Sequence, residues 1–267
     1  MSAAEFLYTK LGGVATMTLN RPDRLNAFTK GMIDAWYTAL LDAAADPAVH
    51  VVVVTGTGRA FCSGGDLGGL SERAGNAAAA LKDVLWEDIH RIPKFLESFD
   101  KPYIVALNGM AIGAGLDLAL MADYRIAARS ARFRQGYLAV GIVPGDGGAY
   151  YLPRIVGISR ALEMFWTTRW VESAEALEMG LVDRVVDDGA LEAAIAELAR
   201  TIADGPQLAI RMTKRLVRQS LNTDLMTSLD LVSSHMAVVK QDPDHAEGLA
   251  AMRDRRKPRF GRRQPGA

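Results

Sequence analysis

The segment YIVALNGMAIGAGLDLALMADYRIA, Tyr103 to Ala127, decides how the chain folds. Tyr103–Leu107 is an apolar run of strand length, and Gly109–Gly115 follows it with three glycines in seven residues. From there a helix runs to about Ala122, and Tyr124–Ala128 reads as the next strand. A buried strand that delivers the chain through glycine into a helix is the unit of an α/β protein. Glycine lets backbone N–H groups face outward unobstructed, and a helix N-terminus adds unpaired amides and a favourable dipole for negative charge. The spacing of Gly109, Gly113 and Gly115 is G-x-x-x-G-x-G rather than G-x-G-x-x-G, which argues against a dinucleotide fingerprint.

Upstream, the pattern repeats. Val51–Thr55 (VVVVT) is a β-branched run suited to a strand buried on both faces, and it enters a second glycine-rich stretch, Gly56–Gly69. Val14–Leu19 reads as a strand that ends at Asn20-Arg21-Pro22. Thr29 reads as the N-cap of an amphipathic helix that Asp46-Pro47 stops. Residues 82–98 read as one helix, and Ala74–Ala80 as a loop. From about Ser159 the chain is helix after helix, at 159–167, 173–179, 189–203, 206–220, 223–240 and 243–254, with one strand-like piece at Asp183–Val186. Two glycine turns whose amides converge on one oxygen would make an oxyanion hole, although such turns also serve purely structural ends.

Composition bounds the function. The chain has 267 residues, with 31 basic and 31 acidic side chains, so no net field favours nucleic acid or membrane. The basic tail Arg253–Arg263 is short and holds one aromatic. Cys62 is the only cysteine, which excludes an intrachain disulfide, and the four scattered histidines do not fit a metal site. No run approaches the ~18 apolar residues of a membrane span, and the start MSAAEFLYTK has no leader pattern, so the expected location is cytoplasmic.

The series RPDRLNAF (21–28), GRAFCSGGDL (58–67), NGMAIGAGLDLALMADYRIA (108–127), GIVPGDGGAYYLPRIVG (141–157) and EALEMGLVDRVV (175–186) resembles the crotonase (enoyl-CoA hydratase/isomerase) superfamily in order and spacing. PDHAEGLAAMRDRRKPRF (243–260) resembles that family's last helix. The resemblance implies an α/β fold, a spiral of ββα units over residues 1–190, with a helical trimerisation region over 191–267. It implies an acyl-CoA thioester as substrate, coenzyme A as part of that substrate with no prosthetic group, and a homotrimer or hexamer. Backbone N–H groups of Ser63 and Ala114 match the oxyanion-hole positions. Arg24, Leu25, Ala60, Cys62, Gly64, Asp66, Leu67 and Arg255 fall where the family holds coenzyme A, with Met252 beside Arg255.

At the acid/base positions the sequence departs from the family's hydratases. Where these carry two glutamates, this chain has Asp117 and Tyr137. A phenol with a reference pKa of ~10 is a weak acid or hydrogen-bond donor and does not activate water as a carboxylate does. Asp146, in VPGDGGAY, stands where many members have a small residue. The aspartate of dienoyl-CoA isomerases and aromatic-CoA dehalogenases falls one position earlier, at Gly145. Asp117, Asp146 and Tyr137 are therefore the expected catalytic set. Each also has a structural reading: Asp117 on a helix's first turn, Asp146 as a turn cap, Tyr137 as a pocket wall, Asp66 as a brace for the first loop. Isomerisation, hydration and hydrolysis of a β-keto thioester stay open, as does a non-catalytic acyl-CoA-binding protein.

Overall fold

The computed structural model describes residues 4–66 and 82–261; Leu67 and the Ala74–Ala80 loop expectation lie outside the described residues. Two sheets form the core. Strands β1 (Phe6–Leu11) and β2 (Val14–Leu19) make an antiparallel hairpin. In β2, Ala15, Met17 and Leu19 alternate inward. The sheet continues in parallel through β3 (Val51–Gly56), β5 (Tyr103–Leu107), β7 (Tyr124–Ala128) and β10 (Arg184–Val186). Val51–Val54 and all of β5 are buried, as unbroken apolar runs in a parallel sheet should be.

A smaller sheet pairs β4 (Ala60–Cys62), β6 (Met110–Ile112), β8 (Arg132–Arg134) and β9 (Val171–Glu172). Each long strand thus hands the chain to a short one: β3 to β4, β5 to β6, β7 to β8. After β6 comes helix α3 (Ala114–Leu120), and after β8 comes α4 (Gly148–Val156). This is the expected spiral of ββα units.

Helix α1 (Lys30–Ala45) begins and ends as the sequence indicates: the Thr29 side chain accepts from Met32 N, and Asp46 closes the helix. It buries Met32, Ile33, Trp36, Leu40 and Ala43 in the core. The helix expected over 82–98 is interrupted. Leu85–Ile89 form a π turn, His90 N donates to Leu85 O, and α2 (Arg91–Ser98) follows. Pro93 has no N–H for the Ile89 carbonyl, so the regular ladder fails at that point.

Helices α5 (Ile158–Thr167) and α6 (Ser173–Glu178) lead to α7 (Leu191–Ala203), which lays Leu191, Ala194, Ile195, Ala199 and Ala203 over β3 and β7. From α8 (Gln207–Ser220) the character changes. Neither α8 nor α9 (Leu225–Val239) buries a residue, and α10 (Pro243–Arg253) buries only Ala251. Polar contacts tie α8 down: Lys214 and Arg218 both pair with Asp123, at 2.6 and 2.8 Å.

Candidate active site

The two glycine segments meet. A Cβ on Gly115 would strike the Cys62 carbonyl, and one on Gly109 would strike that of Arg59, so both ends of the second segment pack backbone against the first. Gly64 has φ +98°, and its Cβ position lies 3.2 Å from Ile112 O and 3.7 Å from Ala114 N. Two asparagines lock the approach. Buried Asn26 donates to Thr57 O and Ala60 O and accepts from Arg21 N. Asn108 donates to Gly58 O and Ala60 O and accepts from Gly56 N.

The amides of this junction are not equally available. Ser63, the expected donor, is corrected here: its N–H already donates to Leu25 O at 3.0 Å. Two residues on, Phe28 N donates to Gly64 O and Phe28 O accepts from Asp66 N. That parallel bridge to Gly65 turns the Gly65 N–H to the opposite edge. Ala114 opens α3, where a first-turn amide has no intrahelical acceptor. Of the amides at this junction, those of Gly65 and Ala114 have no acceptor among the described residues.

Of the expected coenzyme A contacts, Ala60 and Cys62 lie in the short strand β4. They are 1% and 0% exposed, so neither offers a side chain to a ligand. Burial pushes the Cys62 thiol up to about 12, which removes it as a nucleophile. Asp66 braces the loop through Arg21 at 3.0 Å. Arg24 is exposed at the end of a short turn, Pro22–Arg24, and Leu25 beside it is left-handed with φ 51°. Met252 and Arg255 are exposed, Arg255 in the turn after α10.

Asp117, Tyr137 and Asp146 come from three places in the chain and meet at one phenol oxygen. Tyr137 Oη lies 2.6 Å from Asp117 Oδ2 and 2.9 Å from Asp146 Oδ2. All three residues are buried, at 0%, 7% and 5% exposure in the order Asp117, Tyr137, Asp146. Asp117 sits one turn into α3, three residues after Ala114. Its Oδ1 accepts from Gln135 Nε2 and its Oδ2 also accepts from Gly148 N, each at 2.9 Å. Gly148 must be glycine, because a Cβ there would collide with the Asp117 carboxylate. The Tyr137 ring reaches the second glycine turn, 3.8 Å from the Cβ position of Gly113. Asp146 Oδ1 is buried and has no hydrogen-bond partner among the described residues.

Desolvation sets the electrostatics. It raises Asp117 to about 6, against the donors from Tyr137 and Gln135 that pull it down. It raises Asp146 as well, opposed by the Tyr137 hydrogen bond and the nearby His90. Tyr137 is held well above its ordinary value by burial and by the two carboxylates. Gln135, Gly148 and His90 escaped sequence reading. His90, at the end of the π turn, donates from Nε2 to Gly145 O at 2.6 Å and so fixes the residue before Asp146. The irregular helix at 85–89 is the local sign that could have pointed to it.

A ββα spiral with facing glycine turns and buried acid/base groups beside them defines a crotonase-fold protein. A model of the enoyl-CoA hydratase/isomerase family matches residues 9–263. The chain is 34% identical to the 1,2-epoxyphenylacetyl-CoA isomerase of Escherichia coli over 93% of its own length and 95% of that protein. It is also 34% identical to that organism's 2,3-dehydroadipyl-CoA hydratase, over 96% of its length and 98% of that protein. Among solved structures, an enoyl-CoA hydratase of Mycobacterium smegmatis superposes with a TM-score of 0.89 at 31% identity, covering 97% of this chain and all of that one. One from Bacillus anthracis has the same TM-score at 32% identity, covering 96% and 99%. The protein belongs to the enoyl-CoA hydratase/isomerase family and is an enzyme whose family implies acyl-CoA thioester substrates. None of its described helices is long and apolar enough to cross a membrane.

Proposed function

We propose that the protein moves a double bond along an unsaturated acyl-CoA by proton transfer through a thioester enolate. The observation that carries this reading is the Tyr137 phenol between Asp117 and Asp146. A hydratase of the paired-carboxylate kind holds its water between the two acids. Here the phenol that stands at the second of those positions bridges Asp117 and Asp146 directly, at 2.6 and 2.9 Å. A hydrogen-bonded set that can accept a proton and return it suits isomerisation.

In this reading the thioester oxygen lies between the N–H groups of Gly65 and Ala114, which stabilise the enolate oxygen as charge develops there. Asp146 Oδ1, without a hydrogen-bond partner among the described residues, removes the proton from one carbon and returns it to another. Exposed Arg24 and Arg255 suit the phosphates of coenzyme A. The test compares two thioesters at equal concentration. Trans-3-hexenoyl-CoA should be converted to its conjugated 2-enoyl isomer faster than crotonyl-CoA is hydrated. Brisk crotonyl-CoA hydration with no isomerisation would overturn the assignment within the family.

Self-assembly into a trimer or hexamer belongs to the same proposal. Leu221, in the turn after α8, and Leu225 and Met226, on α9, are 79%, 70% and 74% exposed, and neither helix has a fully buried residue. Apolar surface of that extent favours a partner copy.

A further inference from the structure

One hydroxyl proton cannot satisfy two carboxylates. Tyr137 Oη is within hydrogen-bond distance of an oxygen of each aspartate, yet a phenol donates once. The second contact needs another proton, carried by one of the carboxyl groups. Asp117 receives three donors, from Gln135 Nε2, Gly148 N and the phenol at the shorter distance, and is built to be the anion. Asp146 has one hydrogen bond and an Oδ1 with no partner among the described residues, so an ionised Asp146 would leave buried negative charge with only the nearby His90 to offset it.

We propose that Asp146 rests as a neutral acid whose Oδ2 proton is donated to Tyr137 Oη, and that the phenol relays this proton to Asp117 whenever Asp146 acts as base. The inference deepens the isomerase reading above and rests on it for the substrate. Tyr137 and Asp117 are then positioning residues that work through Asp146, which alone touches the reacting carbon.

The step balances without a co-reactant. As the carbon–hydrogen bond breaks, its proton passes to Asp146 Oδ1 and its electron pair enters the enolate. The Oδ2 proton of Asp146 moves to Tyr137 Oη while the phenolic proton moves to Asp117 Oδ2. The negative charge so passes from Asp117 to the enolate oxygen, and Asp117 becomes neutral. On the return, Asp146 Oδ1 delivers its proton to the other carbon and both relay protons move back. Desolvation raises both carboxyls, so it is the three donors on Asp117 that make that one the anion, and two described neighbours do not take the place of Asp146. The Cys62 thiol is too weak, and the His90 Nε2 proton is committed to Gly145 O.

Two measurements on the full-length protein test it. Infrared spectroscopy at about pH 7.5 should show a neutral carboxyl C=O band, since an ordinary aspartate is ionised there. Asp117 and Asp146 are the buried carboxyl groups among the described residues, and the band should vanish in Asp146→Asn. A wild-type protein without the band overturns the stored proton, and that result needs no substrate and no variant. The second is the rate of trans-3-hexenoyl-CoA isomerisation in H2O/D2O mixtures. Several protons in flight should give a bowed dependence on deuterium fraction. Tyr137→Phe should make it linear and lower kcat by on the order of a hundredfold with KM little changed. A linear wild-type dependence overturns the relay. The band without turnover of any acyl-CoA would instead overturn the isomerase reading and support the proton count.

Discussion

Replacing Gly148 by alanine probes the site at the point where packing and proton chemistry meet. All three atoms nearest the added Cβ belong to the Asp117 carboxylate, with Cγ and Oδ2 both at 2.6 Å. That carboxylate is short, out of solvent and held by Gln135, Tyr137 and the Gly148 amide itself, so it has no free rotation with which to yield. Overpacking a buried site costs about 1–3 kcal/mol. Losing one hydrogen bond to a charged group costs about 1.5–3 kcal/mol more. A helix gains at most ~1 kcal/mol from the exchange of glycine for alanine. The net loss is roughly 2–5 kcal/mol, which for a chain of this size lowers Tm by roughly 4–20 °C. Turnover should fall with it, because Asp117 can move only by leaving the phenol. Gly145→Ala is the control, since its Cβ would meet nothing nearer than Val143 O at 4.0 Å. Melting and acyl-CoA turnover followed on both variants decide the matter. A Gly148→Ala protein that melts with the wild type and keeps its rate would refute the proposed geometry around Asp117.

Other consequences can be checked independently. Asn108→Ala strands the Gly56 amide and the Gly58 and Ala60 carbonyls; at about 1 kcal/mol each, thermal melting should show a loss near 3 kcal/mol, partly reduced by the second donor that Asn26 gives Ala60. The Asp117 carboxyl is raised in the fold to about 6, above its ordinary value. The native state therefore binds more protons than the unfolded chain between about pH 4 and 6, and this group's contribution to stability is lost as pH rises through that window, by on the order of 3 kcal/mol. Denaturant titrations should show wild type losing stability relative to Asp117→Asn between those limits and running parallel above about pH 7; the opposite slope would mean that Asp117 is held ionised throughout. Light scattering at micromolar concentration should give the mass of a trimer or a multiple of it, and a monomer would remove the role proposed for the exposed helices.

What could be read from the chain alone was what local chemistry determines. Thr29 capping a helix, the β-branched run at Val51–Val54 and the strand at Tyr103–Leu107 each carry their signal within a few residues. The small sheet carries none, because strands of two or three residues have no measurable period. Strand β1 escaped because as an edge it is mostly exposed and lacks a buried face of its own. Helix α4 opens on glycine and contains Pro153, both signs of a turn rather than a helix. At the site, the residue types of Asp117, Tyr137 and Asp146 were legible, but their meeting at one oxygen is tertiary. The Ser63 expectation met the same limit: its amide is taken by Leu25 O, a contact that depends on where the chain brings Leu25 and that no local pattern shows.

The most direct measurement is a crystal structure with an unreactive acyl-CoA analogue bound. The thioester oxygen is expected within hydrogen-bond distance of both Gly65 N and Ala114 N, with the carbon beside the thioester facing Asp146 Oδ1. A thioester bound away from those two amides, or Asp146 turned from the acyl chain, would contradict the proposed enolate chemistry.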